Sequence, residues 1–119
     1  MDMLIKNFFL ILFITGLVFL FWFSLIPDPP QIPSKISGLD KIEHFGAYLI
    51  LSFLLMSSIR GGRFRLIVEL AIVILVMTAI GGLIEVLQAY TGRSPEAADL
   101  LADFAGAVCG SLLSLFLQR

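Results

Sequence analysis

The residues of this chain that could carry chemistry gather at the ends of its apolar stretches. They are carboxylates, one histidine, two cations, a tyrosine and an amide: Asp40, Lys41, His44, Tyr48, Glu85, Gln88, Arg93, Asp99 and Asp103. Residues four apart lie on one face of a helix, so Asp40 shares a face with His44, and Asp99 shares a face with Asp103. The cations of such a group could bind a phosphate or a carboxylate, and its acids and amide could orient an amine, a polyol or a metal ion.

Familiar catalytic patterns are missing from the sequence. It contains no G-x-S-x-G, no H-E-x-x-H and no glycine-rich phosphate loop. His44 and the acids around it could hold Mg²⁺, Ca²⁺, Mn²⁺ or Zn²⁺, but no ligand spacing among them is diagnostic. We therefore predict no metal and no cofactor, and we favour a protein that is not an enzyme while keeping an enzyme as an alternative.

The composition indicates which elements must position these residues. Of the 119 residues, 59% are hydrophobic and 14% are charged, whereas a soluble domain has roughly 45–50% apolar and about 25% charged residues. So much apolar surface excludes a soluble globular enzyme and a disordered chain, and a net charge of −1 excludes a nucleic-acid binder. The composition therefore predicts a membrane protein.

The apolar residues form four blocks, each a candidate membrane-spanning helix of one domain that covers residues 1–119. The predicted helices occupy about 7–27, 42–60, 66–89 and 99–117. The first block is too long for the apolar part of a signal peptide, and no block alternates with the period of a barrel strand. The predicted fold class is an all-α membrane protein, a single bundle of four transmembrane helices.

Basic residues predict the orientation, because cytoplasmic loops carry an excess of Lys and Arg. Five basic residues fall on the side that four spans assign to both termini: Lys6, Arg60, Arg63, Arg65 and Arg119. The other side carries Lys35, Lys41 and Arg93 among several acids. Both termini are therefore predicted to be cytoplasmic in a multi-pass protein of the inner membrane, with the loop 28–41 and the polar helix ends facing outward.

A stripe of small residues on the fourth helix predicts close packing of helix backbones. Its members recur every four residues: Ala102, Gly106, Gly110 and Ser114. Gly81 and Gly82 offer a matching smooth surface on the third helix. Packing inside one bundle is favoured over a dimer interface, and an oligomer remains an alternative.

The polar helix ends have three interpretations: a functional pocket, a structural clamp of ion pairs between helices, and side chains that merely lie at the membrane interface. Asp103 lies one turn deeper than Asp99, which is about 6 Å along the axis. A carboxylate near the centre of a membrane costs roughly 2.5–3.5 kcal/mol. That cost favours the pocket or the clamp for Glu85, Asp99 and Asp103, whereas Glu43 and Glu96 suit the interface.

Fragments of the sequence, taken in order, resemble the VanZ-like family of small bacterial membrane proteins. They are Asp40-Lys41-x-x-His44-Phe45-x-x-Tyr48, Glu85-x-x-Gln88, Gly92-Arg93 and Asp99-x-x-x-Asp103-x-x-Gly106-x-x-x-Gly110. The resemblance covers about residues 27–114, although many members of that family have Asn where this chain has Asp103. It implies a small helical bundle in a bacterial membrane. The founding member of the family is associated with low-level resistance to the glycopeptide teicoplanin.

These observations lead to one main hypothesis and two alternatives. The main hypothesis is a VanZ-like protein whose outward polar pocket binds or helps move an amphiphile or lipid headgroup in the cell envelope, with a link to glycopeptide resistance implied by the resemblance. Its expected partners are membrane lipids, including a lipid-linked envelope precursor or a lipopeptide, and not nucleic acid. The alternatives are a metal-assisted hydrolase or transferase acting on a lipid-linked phosphate, in which Asp40 orients His44, and a structural subunit of an envelope assembly.

Overall fold

The described part of the chain is almost entirely helical. A computed structural model describes residues 3–25, 39–61, 65–90 and 97–117, although not the side chains of residues 39 and 40. Within these ranges the chain forms α1 (Met3–Leu25), α2 (Leu39–Ile59), α3 (Leu66–Tyr90) and α4 (Ala97–Leu117), with no strand. All four helices are long and apolar enough to cross a membrane. The predicted fold class, an all-α membrane protein with four spanning helices, is confirmed.

Three of the helices begin a little earlier than the charge-free blocks suggested. α1 begins at Met3 rather than near residue 7, and α2 begins at Leu39 rather than near residue 42. Charged residues such as Lys6 and Lys41 continue the helical turns, because their long apolar stems let the charge reach the interface. Helices of 21–25 residues are about 32–38 Å long, so their ends extend beyond a hydrocarbon layer of about 30 Å.

The four helices form a bundle with α2 and α4 as its central pair. The most extensive contact joins α2 to α4, while α1 packs mainly on α2 and α3 mainly on α4. Smaller contacts join α1 to α3 and α2 to α3, and the described residues of α1 and α4 do not meet. Side-chain bonds connect His44 to Asp103 near one end and Ser57 to Ser114 near the other. α2 and α4 therefore run parallel.

Two glycines explain how closely α4 approaches α2. A Cβ atom at Gly106 would lie 2.5 Å from the carbonyl oxygen of Phe45, and one at Gly110 would overlap the carbonyl of Leu49. Only hydrogen atoms fit there, so the two backbones touch. The other members of the stripe complete this surface, since Ser114 is buried and Ala102 is half-buried.

The glycines of α3 have a different environment from the one expected. Gly81 faces Asp103, because a Cβ there would lie 2.7 Å from Oδ2 of that residue. Nothing lies within 4 Å of the corresponding position at Gly82. The small-residue stripe of α4 therefore packs its two glycines against α2, and not against the Gly81-Gly82 surface of α3 that we matched to it.

Lys6 and Arg60, two of the basic residues predicted to be cytoplasmic, lie at the end of the bundle opposite to the polar helix ends. A Cβ at Gly61 would lie 3.8 Å from Nζ of Lys6, so the start of α1 meets the end of α2. Gly61 has a φ of 73°, the left-handed conformation that commonly follows the last turn of a helix and that favours glycine. The antiparallel path of α1 and α2 thus separates Lys6 and Arg60 from His44 by almost the length of a helix.

The bundle keeps a small core and exposes much apolar surface. Its buried cluster joins all four helices and consists of Phe13, Tyr48, Leu51, Met56, Val73, Met77 and Ala107. α1 is the most peripheral helix, since Phe13 is its one buried residue. Such exposure is expected in lipid, where apolar side chains lose nothing by facing acyl chains and packing alone joins the helices.

Candidate functional site

The parallel arrangement of α2 and α4 brings their N-terminal turns together, and a buried hydrogen bond connects them. Nδ1 of His44 donates to Oδ1 of Asp103 over 2.8 Å. Asp103 is only 1% exposed, and Gly81 of α3 gives it space. A carboxylate at this depth is costly unless it is paired, and the imidazole supplies that pairing.

One turn closer to the end of the bundle, Asp99 continues the same face of α4. Its Oδ2 lies 3.9 Å from Nε2 of His44, and its Oδ1 lies 3.3 Å from Nζ of Lys41. The four-residue spacing of Asp99 and Asp103 therefore places one carboxylate near each ring nitrogen of His44. The side chain of Lys41 is 31% exposed and that of Asp99 is 11% exposed, so the polar contacts lead from the rim of the bundle into its core.

Tyr48 and Glu85 also lie near the His44 ring. The Tyr48 ring is stacked on the His44 ring, with centroids 6.5 Å apart and an interplanar angle of 11°, and it is buried. Glu85 of α3 lies within electrostatic range of both rings. Three helices thus supply what we call the His44 cluster: Lys41, His44, Tyr48, Glu85, Asp99 and Asp103.

The remaining predicted site residues have other positions. Gln88 connects α3 to α1, because its Nε2 donates to the carbonyl oxygen of Ser24 over 3.0 Å. Asp40 lies in the first turn of α2, but its side chain is outside the described part. Arg93 also lies outside the described residues. The assignment of these three residues to the pocket stays a prediction.

The arrangement of the cluster determines what it could hold. It combines three carboxylates with one lysine and one imidazole, partly out of reach of solvent. Carboxylates suit an ammonium or hydroxyl group, and Lys41 suits a phosphate. In the described ranges, no three His, Cys, Asp or Glu side chains are grouped so that they could hold a metal ion.

A second polar contact, at the opposite end of the α2–α4 interface, was not expected. Oγ of Ser57 and Oγ of Ser114 are 2.8 Å apart and buried, and Nη1 of Arg60 donates to the Ser114 carbonyl over 3.3 Å. Glu69, in the first turn of α3, is also buried. Ser114 was predicted as a member of the packing stripe, but its hydrogen bond to Ser57 was missed, because a helical serine can bond its own backbone and its type alone indicates no such contact. The signal available in the sequence was an acid, Glu69, inside an apolar block that follows three arginines.

Comparison with known proteins places this architecture in a family. A family model described as VanZ/LLP1 matches residues 3–118, and it therefore covers all four helices and the His44 cluster. Searches of curated proteins and of solved structures gave no match.

Proposed function

The chain belongs to the VanZ/LLP1 family, and from that premise we propose that its His44 cluster binds an amphiphile or lipid headgroup and helps to hold or move it at the outer leaflet of the inner membrane. One observation carries the proposal: the polar contacts form a graded path from Lys41, 31% exposed, to Asp103, 1% exposed. A path of this kind gives a headgroup an entry from the membrane surface and partners inside the bundle.

The alternative of a pure clamp explains less of the geometry. A clamp needs one well-made bond between helices, and the His44–Asp103 hydrogen bond already supplies it. The cluster adds Glu85 and Asp99, so its carboxylates outnumber its fixed cation, Lys41. Several carboxylates in a low-dielectric site favour a cationic ligand. Together with Lys41, they favour a headgroup that carries both an amine and a phosphate.

Binding can be measured with a fluorescent-tail phosphoethanolamine lipid and the full chain in lipid nanodiscs. We expect saturable binding that falls strongly in Asp99→Asn and in Lys41→Gln, because each change removes a charge at the rim of the cluster. The matched control is Glu43→Gln, since Glu43 lies on the same helix and is exposed away from the cluster. Binding that is equal in all four proteins would reject the proposal.

Movement of the bound lipid has its own readout. In vesicles with a fluorescent lipid in both leaflets, dithionite quenches only the outer leaflet, so a protein that lowers the barrier to crossing increases the quenched fraction. Family membership extends the proposal to resistance against teicoplanin-type glycopeptides. The same variants can be expressed in a susceptible strain. If resistance depends on the site, Asp99→Asn should confer less resistance than Glu43→Gln.

A second candidate is an enzyme, and the held imidazole favours it. Asp103 fixes the His44 ring through Nδ1, the way in which a carboxylate orients a catalytic histidine. This bond comes from α4, whereas the enzyme hypothesis had assigned it to Asp40. Hydrolysis of a lipid-linked phosphate that is lost in His44→Ala and sensitive to chelators would support the enzyme, and turnover indifferent to both would reject it.

A further inference from the structure

Polar side chains continue from the His44 cluster through the core of the bundle to its other end. Most of them are buried in an otherwise apolar interior. We call this set the polar seam, and it consists of His44, Tyr48, Ser52, Ser57, Glu69, Thr78, Asp103, Ser111 and Ser114.

The seam follows the parallel register of α2 and α4. Ser52 is eight residues beyond His44, and Ser111 is eight residues beyond Asp103, so both lie at the same depth, about 12 Å from the cluster. Further along, Ser57 and Ser114 are in direct contact. From His44 to Ser57 the seam extends about 20 Å, most of a hydrocarbon layer of about 30 Å.

α3 adds a hydroxyl near the first end and a carboxylate at the second. Gly81 lies against Asp103, and α3 runs in the opposite direction to α4. Thr78 is therefore one turn deeper than Asp103, between the cluster and the level of Ser52. Glu69 is about 18 Å from Gly81 along the axis, which is the depth of Ser114.

Two hydroxyls of the seam have unusual surroundings. Oγ of Ser52 and Oγ1 of Thr78 are buried and make no hydrogen bond within the described part of the chain. Ser57 and Ser111, in contrast, donate to carbonyls of their own helices. An isolated buried hydroxyl is costly, so a water molecule at either position would satisfy it. A hydroxyl with its donor and acceptor both available can accept one proton and release another.

We propose that the polar seam conducts protons across the membrane, between the His44–Asp103 pair and Glu69. A proton leaves the imidazole or the carboxylic acid of that pair and moves along hydroxyls and single water molecules. At each oxygen one O–H bond forms and another breaks, so only the two ends change their protonation. Hydrogen bonds span about 2.8 Å, so one or two waters bridge levels that lie one to one and a half turns apart. The membrane potential or a pH difference drives the movement.

Charged groups outside the seam face both of its ends. At the first end Asp99 and Glu85 lie near the His44 ring, and Lys41 contacts Asp99. At the other end Arg60 donates a hydrogen bond to the Ser114 carbonyl. Neither the seam nor its proposed conduction requires a lipid ligand, so conduction is independent of the headgroup proposal.

The experiment uses the full chain in vesicles that contain a pH-sensitive dye and a potassium gradient, with valinomycin added to set the potential. We expect proton entry faster than in protein-free vesicles. Ser52→Ala and Thr78→Val should lose most of this flux, because each removes a hydroxyl of the seam. The matched controls are Ser58→Ala and Thr15→Val, whose hydroxyls bond local carbonyls outside the seam and whose flux should be unchanged.

Thr78→Val preserves the shape of the side chain, so it tests the hydroxyl rather than the packing. Circular dichroism and gel filtration confirm that each variant is folded before its flux is compared. A flux equal to that of protein-free vesicles would overturn the proposal, and so would full flux in both Ser52→Ala and Thr78→Val. If the unchanged chain conducts protons but binds no headgroup, the proposed function alone is rejected.

Discussion

Asp103 is 1% exposed and hydrogen-bonded to His44 over 2.8 Å. Removing this bond should therefore lower the free energy of unfolding of the bundle. We predict that a double-mutant cycle of His44→Ala and Asp103→Ala gives a coupling energy of about 1.5–3 kcal/mol, the range for a hydrogen bond that involves a charged group. Unfolding in mixed detergent micelles, followed by circular dichroism, measures it. The cycle of Lys41→Ala and Asp99→Ala is the control.

That second pair should couple by less than about 1 kcal/mol, because solvent reaches Lys41 and screens the attraction. The reverse order of the two couplings would show that the rim, and not the buried bond, holds α2 to α4. Both cycles use the same substitution and the same two helices, so they differ mainly in depth.

The residue-scale outcome shows where sequence reasoning reaches its limit. Helical spacing predicted that Asp99 and Asp103 share a face, and both do approach the His44 ring. Spacing alone could not select Asp103 as the partner of Nδ1, because the partner depends on the rotation of α4 against α2. The close approach of Gly106 to Phe45 fixes that rotation. Such a contact between two helices cannot be predicted from the residue spacing within either helix.

The glycines of α3 and α4 provide the prediction at the scale of elements. Gly110→Ala places a methyl group onto the Leu49 carbonyl, so the helices must separate and bonds such as His44–Asp103 weaken. We expect a loss of several kcal/mol, since overpacking typically costs about 1–3 kcal/mol and strain on a backbone costs more. Thermal unfolding in detergent and the yield of folded protein measure it.

Gly82→Ala is the matched control for this prediction. Its methyl group enters open space, and alanine is better than glycine in a helix by about 1 kcal/mol. Equal or higher stability is therefore expected. If both variants unfold alike, close approach at Gly110 is not what fixes the α2–α4 pair.

Helix ends and helix partners were predictable to different degrees. Long apolar blocks predicted four helices, and all four exist in the described ranges. Three of the helices begin earlier than predicted, because residues such as Lys41 tolerate a helix at the interface. The partner of the Gly106–Gly110 stripe was assigned to Gly81-Gly82, since smooth surfaces look equivalent in sequence. In the structure, Gly106 and Gly110 contact α2 at Phe45 and Leu49, whereas Gly81 faces Asp103. This choice depends on how the helices are aligned along their axes, which the sequence of one helix does not show.

At the scale of the whole molecule, the alternating direction of successive helices explains why the site forms. α2 and α4 run parallel, and α3, which lies between them in the sequence, runs in the opposite direction. The start of α2, the end of α3 and the start of α4 therefore meet at one end. Residues 59 positions apart, His44 and Asp103, become neighbours this way. The alternation of helix direction was sufficient to predict this meeting, whereas the seam of buried serines depended on side-chain contacts that the alternation does not reveal.

Orientation belongs to the same scale, and it decides which side of the membrane the His44 cluster faces. Lys6 and the Arg60–Gly61 turn lie at the end opposite to the cluster, and the positive-inside rule assigns that end to the cytoplasm. We predict that alkaline phosphatase, which is active only outside the cytoplasm, is silent when fused after Arg119 and active when inserted after Gly38. Replacing Arg60, Arg63 and Arg65 with Gln should produce activity at Arg119 in part of the molecules, because the count of basic residues on the two sides then changes from five against three to two against three. Strong activity at Arg119 in the unchanged chain would place the cluster on the cytoplasmic side, where a headgroup of the inner leaflet would be its ligand.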